Sequence, residues 1–280
     1  MRATKGGLKQ GGPMTDAPQT GAEARIRLFV EADLAARGTV GLSSEQAHYL
    51  RHVMRLDSGD SVLLFNGRDG EWAGRIEGLK RGWCSVALLS RVRPQDEVLD
   101  LWLVFAPIKR ARLDFLVAKA TELGVSALWP VFTRHTSVAR VNTERLRANA
   151  VEAAEQSERL SVPEVFEPAD LSEVLARWPE SRRVLLLDES GQAAPVSDAL
   201  ERERADDKAG AAPWAVMVGP EGGFARGELD ALRRLPFVTP VSLGPRVLRS
   251  DTAALAGLAC WQAMVGDWRL KRRAASARPS

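Results

Sequence analysis

The 280-residue sequence has only two cysteines and three histidines. Cys84 and Cys260 lie far apart and neither has a CxxC neighbour, which argues against a disulfide framework and a zinc knuckle and leaves both thiols as expected small buried hydrophobes. No run reaches the roughly 18 apolar residues of a membrane span, and the first residues lack the apolar core of a signal peptide. A soluble, cytoplasmic protein with no membrane partner is therefore expected. The formal net charge is +3 with an isoelectric point near 9.1, a surplus that serves a nucleic-acid partner only if the arginines cluster. There is no P-loop, no GxGxxG after a strand and no Ser-His-Asp wording, and three histidines with two distant cysteines supply no metal cluster.

What is present is 45% hydrophobic and 27% charged, enough for sizeable cores in one large or two ordinary domains. Residues 1–24, rich in Gly, Gln, Thr and Pro, read as a disordered tail, and residues 271–280 as a basic one. Between Arg25 and about residue 95 short apolar strands are predicted at Ile26–Val30, Ser61–Phe65, Glu71–Leu79 and Trp83–Leu89. Turns at Asn66-Gly67 and Asp69-Gly70 link them, and a helix over Ser44–Arg55 is capped by Ser43 or Ser44, a pattern that argues for a small β-barrel. On that helix His48 and His52 are four residues apart on one face, half of a zinc site with no third ligand in view. Residues 94–97 read as a linker. From 96 to 270 apolar runs at Leu99–Phe105, Ala127–Phe132, Val184–Leu187, Trp214–Val218 and Val238–Leu243 alternate with helical stretches, which indicates a parallel sheet covered on both faces. The first of those helices places Leu113, Leu116, Val117, Ala120 and Leu123 on one stripe and stops at Gly124.

Two strand ends organise the second half. Val238–Leu243 runs into Gly244-Pro245-Arg246-Val247-Leu248-Arg249, where Gly-Pro forbids both strand extension and a regular helix. Ser250, Asp251 or Thr252 then caps a helix that begins with small residues. Trp214–Val218 likewise runs into Gly219-Pro220-Glu221-Gly222-Gly223, where Gly222-Gly223 lets a ligand reach backbone. In open α/β sheets ligands bind beyond the carboxyl ends of the strands, and two such ends here carry glycine loops.

These words resemble the SPOUT methyltransferases, and within them the RsmE family, which methylates N3 of a uridine in small-subunit (16S) ribosomal RNA. The Gly219–Gly223 loop and the Leu243–Ala253 loop carry the closest likeness. Further family-like wording occurs at Arg27–Val30, at His48–Arg55 with Met54 in place of the usual Leu, at Lys109 with Lys119–Val125, and at Glu155-Gln156 followed by Arg159. His135-Thr136 stands where the family commonly has Arg-Ser. The resemblance implies an N-terminal PUA-like barrel, a SPOUT α/β domain with a C-terminal trefoil knot, S-adenosylmethionine as cofactor, no metal, and a homodimer acting on ribosomal RNA. It places the cofactor at Leu187, Gly219, Pro220, Glu221, Gly222, Gly223, Leu243, Gly244 and Leu248. Catalysis falls to Arg249 and Arg246, and RNA contact to Arg27, His48, Arg51, Arg55, Lys109 and Arg159. Glu155 and Arg159 also have the spacing of an ordinary i, i+4 ion pair.

A cofactor with its own reactive methyl suits a sequence that offers loops and arginines rather than nucleophiles. A non-catalytic RNA-binding or ribosome-assembly factor on the same fold would be expected to have lost the glycine loop or its arginines. A nicotinamide enzyme would need a Gly-rich turn after its first strand, where Phe105-Ala106-Pro107-Ile108-Lys109 stands instead. The charged segment 190–213 carries no chemistry in this reading.

Overall fold

The computed structural model describes residues 26–205 and 212–269, so the expected tails 1–24 and 271–280 lie outside the described residues. The N-terminal part is a five-stranded sheet. Its strands are β1 (Arg27–Phe29), β2 (Thr39–Leu42), β3 (Ser61–Phe65), β4 (Glu71–Lys80) and β5 (Trp83–Arg93), in the order β1-β3-β4-β5-β2. Three register shifts between β4 and β5 let this pair curl, as closing a small sheet requires. The β3–β4 turn is built by Asn66, whose Oδ1 accepts from the Arg68 and Asp69 amides while its amide donates to Asp69 Oδ2. Gly70 is needed there: its φ is +83°, and a Cβ would sit 2.3 Å from the Arg93 carbonyl.

Helix α1 (Ser44–His48) starts with a capping box in which Gln46 N donates to Ser43 Oγ and Ser43 N donates to Gln46 Oε1. The predicted helix to Arg55 is shorter and wider than expected. Residues Tyr49–Val53 form a π turn, and Arg55, at φ +57°, ends it in the left-handed region.

The second part is an all-parallel sheet. It contains β6 (Leu101–Phe105), β7 (Ala127–Phe132), β8 (Glu164–Val165), β9 (Ala169–Asp170), β10 (Arg183–Leu187), β11 (Ala194–Pro195), β12 (Trp214–Val218) and β13 (Val238–Ser242). The order is β11-β13-β10-β12-β6-β7-β8, with β9 beside β7. One face is covered by α2 (Arg110–Glu122), α3 (Thr143–Gln156), α5 (Val196–Ala205) and α7 (Ser250–Met264), through a core that includes Leu103, Leu116, Leu146, Leu200, Val216 and Leu258. The other is covered by α4 (Leu171–Ala176) and α6 (Arg226–Arg233), where Trp102, Trp129, Phe166 and Trp178 meet edge to face or stacked. The buried strands read as continuous apolar runs because both of their faces are dry.

Helix α2 ends as its glycine predicts. Gly124 has φ +92°, and Gln262 from α7 donates to the Leu123 carbonyl at 2.7 Å. Strand β13 enters the sheet between β10 and β11, and the loop after it returns α7 onto β10 and β12, a path consistent with the expected C-terminal trefoil knot. Cys84 is buried and Cys260 half-buried. No helix among the described residues is long and apolar enough to cross a membrane.

The two parts are joined by Arg27, and here the sequence-based expectation of an RNA contact is corrected. Its side chain is only 8% exposed. Nε donates to Glu71 Oε1 at 2.6 Å, Nη1 to the carbonyls of Ala154 and Glu155, and Nη2 to that of Arg159 at 2.8 Å. Arg27 thus closes the carbonyl end of α3, a place where a cation also meets the negative end of the helix dipole. Arg159 is corrected in the same way, since its guanidinium donates to the Thr121 and Val125 carbonyls and burial pushes its pKa down to about 10. The ion pair between Glu155 and Arg159 does not form. Glu155 Oε1 accepts from the Phe29 amide at 2.9 Å instead.

Removing Arg27 leaves Glu71 buried without its nearest cation, so Arg27→Ala is expected to cost about 3–5 kcal/mol in urea unfolding. The double variant with Glu71→Ala should cost clearly less than the sum of the two single changes. Burial raises the Glu155 carboxyl above its usual range, against the opposing pull of the Phe29 amide and Arg27. An acid with a raised folded pKa contributes most below its unfolded pKa and loses that contribution as pH rises through the folded one. Glu155→Gln, which keeps the acceptor, should therefore match wild-type melting near pH 4 and exceed it at pH 7 to 8.

Candidate active site

Because every strand of the second sheet is parallel, their carboxyl ends open on one side. Those of β10, β12 and β13 surround a cavity of about 340 Å³. Its apolar lining comes from Leu187, Val218, Pro220, Leu243 and Leu248, and its backbone lining from Gly219, Gly223 and Gly244. Gly244 has φ +104° and open space around it, so only glycine sits there without strain while presenting bare backbone to the cavity. Gly223 has φ +70°, and a Cβ there would lie 2.2 Å from Glu189 Oε1.

Ser250 and Arg112 fix the two glycine loops relative to each other. Ser250 was one of three candidate helix caps, and this is corrected: the cap position is Arg249, with extended backbone and no side-chain cap. Ser250 is the first helical residue, and its buried hydroxyl donates to the Gly219 carbonyl at 2.8 Å, tying the second loop to the first. Arg112 on α2 donates through Nε and Nη2 to both oxygens of Asp251, at 3.0 and 2.6 Å, and through Nη1 to Glu221. The hydrogen bond from Arg112 holds the Asp251 carboxyl below the usual carboxylate range. Helix α7 can lie close beneath the cavity because Gly257 offers no Cβ. One added there would meet both Leu187 methyls at 3.0 Å and Val216 at 3.2 Å.

Of the residues expected at the cofactor, Leu187, Gly219, Pro220, Glu221, Gly223, Leu243, Gly244 and Leu248 all line the cavity. Gly222 does not. It faces His135, whose Nδ1 lies 3.3 Å from the Gly222 carbonyl and 3.1 Å from that of Gly223. Arg246 and Arg249 line the same cavity, both are exposed, and among the described residues neither side chain has a hydrogen bond or ion pair. His48, Arg51, Arg55 and Lys109 are exposed away from this cavity's lining, and the rings of His48 and His52 lie 4.5 Å apart.

The sequence reading placed Leu187, at the end of β10, against the cofactor but missed the loop that follows it. Asp188, Glu189 and Gly191 after β10 also line the cavity. Burial pushes the Asp188 carboxyl up, but the Ser190 amide and hydroxyl and the Arg233 guanidinium together outweigh it and hold the pKa below its usual value. The available signal was the acidic pair Asp188-Glu189 directly after an apolar run, at the position that glycines occupy after β12 and β13.

A parallel sheet with three loops round one cavity, two arginines on its lip without side-chain partners among the described residues, and a small β-sheet packed on α3 together belong to the RNA-methyltransferase class of protein. Residues 95–262 match the family model of an RNA methyltransferase domain, and residues 42–88 that of an RNA methyltransferase PUA domain. The chain belongs to the ribosomal RNA small subunit methyltransferase E family. It is 31% identical over 239 residues to the Rickettsia conorii member, covering 83% of this chain and 93% of that one. It is 27% identical to the Bacillus subtilis member over 83% and 94% of the two chains. The structure of the Neisseria gonorrhoeae enzyme bound to S-adenosyl methionine superposes with a TM-score of 0.76 at 27% identity, over 87% of this chain and 99% of that one. A putative methyltransferase from Legionella pneumophila in complex with the same cofactor gives 0.73 at 28% identity, over 85% and 97%.

The contrast between the two glycines is testable by calorimetry with S-adenosylmethionine. Gly223→Ala should weaken binding by about tenfold or more, through backbone strain and the displaced Glu189. Gly222→Ala should bind within about threefold of wild type, since its Cβ would meet His135 at an ordinary 3.4 Å.

Proposed function

We propose that this protein transfers a methyl group from S-adenosylmethionine to N3 of a uridine in small-subunit ribosomal RNA. The observation that carries the reading is one cavity where bare loop backbone meets two arginines whose side chains have no partner among the described residues. The residues present fit the cofactor. A space of about 340 Å³ lies in the range of small-molecule sites, with apolar walls for a base and exposed backbone for its polar edges. Leu187, Gly219, Pro220, Glu221, Gly223, Leu243, Gly244 and Leu248 would hold it, and once held it supplies an electrophilic methyl on sulfur.

The protein's own task is then to place the base and manage its charge. As the N3 proton leaves, negative charge spreads over the two ring carbonyls of uridine. A guanidinium stays positive at any working pH, so Arg249, assisted by Arg246, stabilises that anion beside the cofactor pocket. Each unit by which the base's pKa falls corresponds to about 1.4 kcal/mol. That neither side chain has a partner among the described residues supports this role, since neither must break such a contact to meet RNA.

In this reading residues 25–95 dock RNA and residues 96–270 carry the chemistry, with His48, Arg51, Arg55 and Lys109 contacting the RNA. The protein acts as a homodimer, for which exposed Phe115 and Val247 offer apolar surface.

Arg249→Ala should lower kcat by about a hundredfold, the scale seen when one donor to a developing oxyanion is removed. If Arg249 merely held a phosphate, KM would rise with kcat unchanged. Raising pH should partly restore the variant, because more uridine anion then forms without help. Single-turnover rates with saturating RNA and cofactor across pH measure both effects, and an unchanged rate for Arg249→Ala would remove it from the mechanism.

A further inference from the structure

Trp83 opens β5 and remains 50% exposed, yet its indole is firmly seated. It lies over Gly78 of the neighbouring strand, where a Cβ would come 2.6 Å from Trp83 Cζ3 and 3.0 Å from Cη2. A strand glycine with no other evident use thus admits an aromatic ring flat against the backbone. Residues directly opposite on paired strands point to the same face. Lys80 is opposite Trp83, Ser85 is opposite both Gly78 and Gly41, and Arg75 is opposite Ala87. The outer face beside the indole is therefore built from small residues edged by cations.

Charge strengthens the contrast with the rest of the sheet. The Lys80-Arg81-Gly82-Trp83 turn lies against the start of α1, since a Cβ on Gly82 would be 4.0 Å from that of Ser44, and α1 leads on to His48 and Arg51. Glu77, at the bulge, is the carboxylate on this stretch of β4. On the side facing α3, by contrast, a groove of about 840 Å³ carries Glu31, Glu45, Glu144, Glu152 and Glu155 against Arg147. The groove thus carries five carboxylates against one arginine, whereas Lys80, Arg81 and Arg75 beside Trp83 are set against Glu77.

We propose that Trp83 is a stacking platform for an unpaired RNA base, with Lys80, Arg81 and Arg75 holding the neighbouring phosphates. This rests on RNA being the substrate and adds a contact outside the active-site cavity. Every base has a π face, so such a site is tolerant of sequence, while the cations make it salt-dependent. The indole is suited to this because half of its surface is free and the rest is already packed, so little side-chain freedom remains to be lost on binding.

The test measures affinity for a short unstructured RNA oligonucleotide, and KM and kcat with small-subunit ribosomal RNA, for wild type, Trp83→Leu, Trp83→Ala and Trp83→Phe. Trp83→Leu still covers Gly78 but has no π face. Loss of one base stack should raise Kd and KM by about 5- to 100-fold in the Leu and Ala variants, with kcat at saturating RNA and cofactor affinity unchanged. Trp83→Phe should stay within about threefold of wild type. Folded Trp83→Leu with wild-type RNA affinity would overturn the platform, and so would Trp83→Phe losing as much as Trp83→Leu. Wild type that binds neither RNA would overturn the platform and the methyltransferase reading together, which separates the two failures.

Discussion

The active-site end of the molecule depends on Arg112. Its guanidinium spans Glu221 in the loop after β12 and Asp251 in the first turn of α7, so one side chain on α2 sets the separation of two loops that are otherwise held mainly by their own turns. The planar fork of arginine makes this possible, because it can serve one carboxylate with two donors and a second with another. Ser250 adds a buried bond from the same helix turn to Gly219. Together these bonds tie the loop after β12 to the first turn of α7, which follows the loop after β13.

That arrangement leaves the side chains of Arg246 and Arg249 without a partner among the described residues. Three carboxylates at the cavity are already engaged, Asp251 and Glu221 by Arg112 and Asp188 by Arg233, which leaves Glu189 as the lining acid outside these pairs. An arginine beside an idle carboxylate would be neutralised and unavailable to an anionic base. Internal pairing of Asp188, Glu221 and Asp251 therefore reduces the number of acids that could neutralise the two arginines on the cavity lip.

Much of this was legible in the sequence because the strands are continuous apolar runs and the loops are punctuated by Gly and Pro, whose backbone consequences are local. Strand β2 and the two-residue strands β8, β9 and β11 were not, since stretches of two to four residues carry no usable periodicity. The roles of Arg27 and Arg159 were misread for a different reason. An arginine presents the same donors to a phosphate as to a row of carbonyls, and only the fold reveals that α3 ends beside both of them. Ser250 shows the same limit: a serine at the start of a helix predicts a local cap, whereas its partner here is 31 residues away. Asp188 was passed over because the sequence search weighed glycines at strand ends and not acids.

The closure of α3 by Arg27 also bears on how the chain is made. The carbonyls of Ala154, Glu155 and Arg159 find their donor between 127 and 132 residues earlier. Pairings so remote in sequence are slow to find from a fully unfolded chain, because loop entropy must be overcome first. On a ribosome the order of emergence removes much of that search. The β-sheet holding Arg27 and Glu71 is synthesised whole before α3 appears, so the helix end meets a donor already oriented by its carboxylate. A circular permutant that placed residues 26–93 last would have the same contacts and would lose this head start.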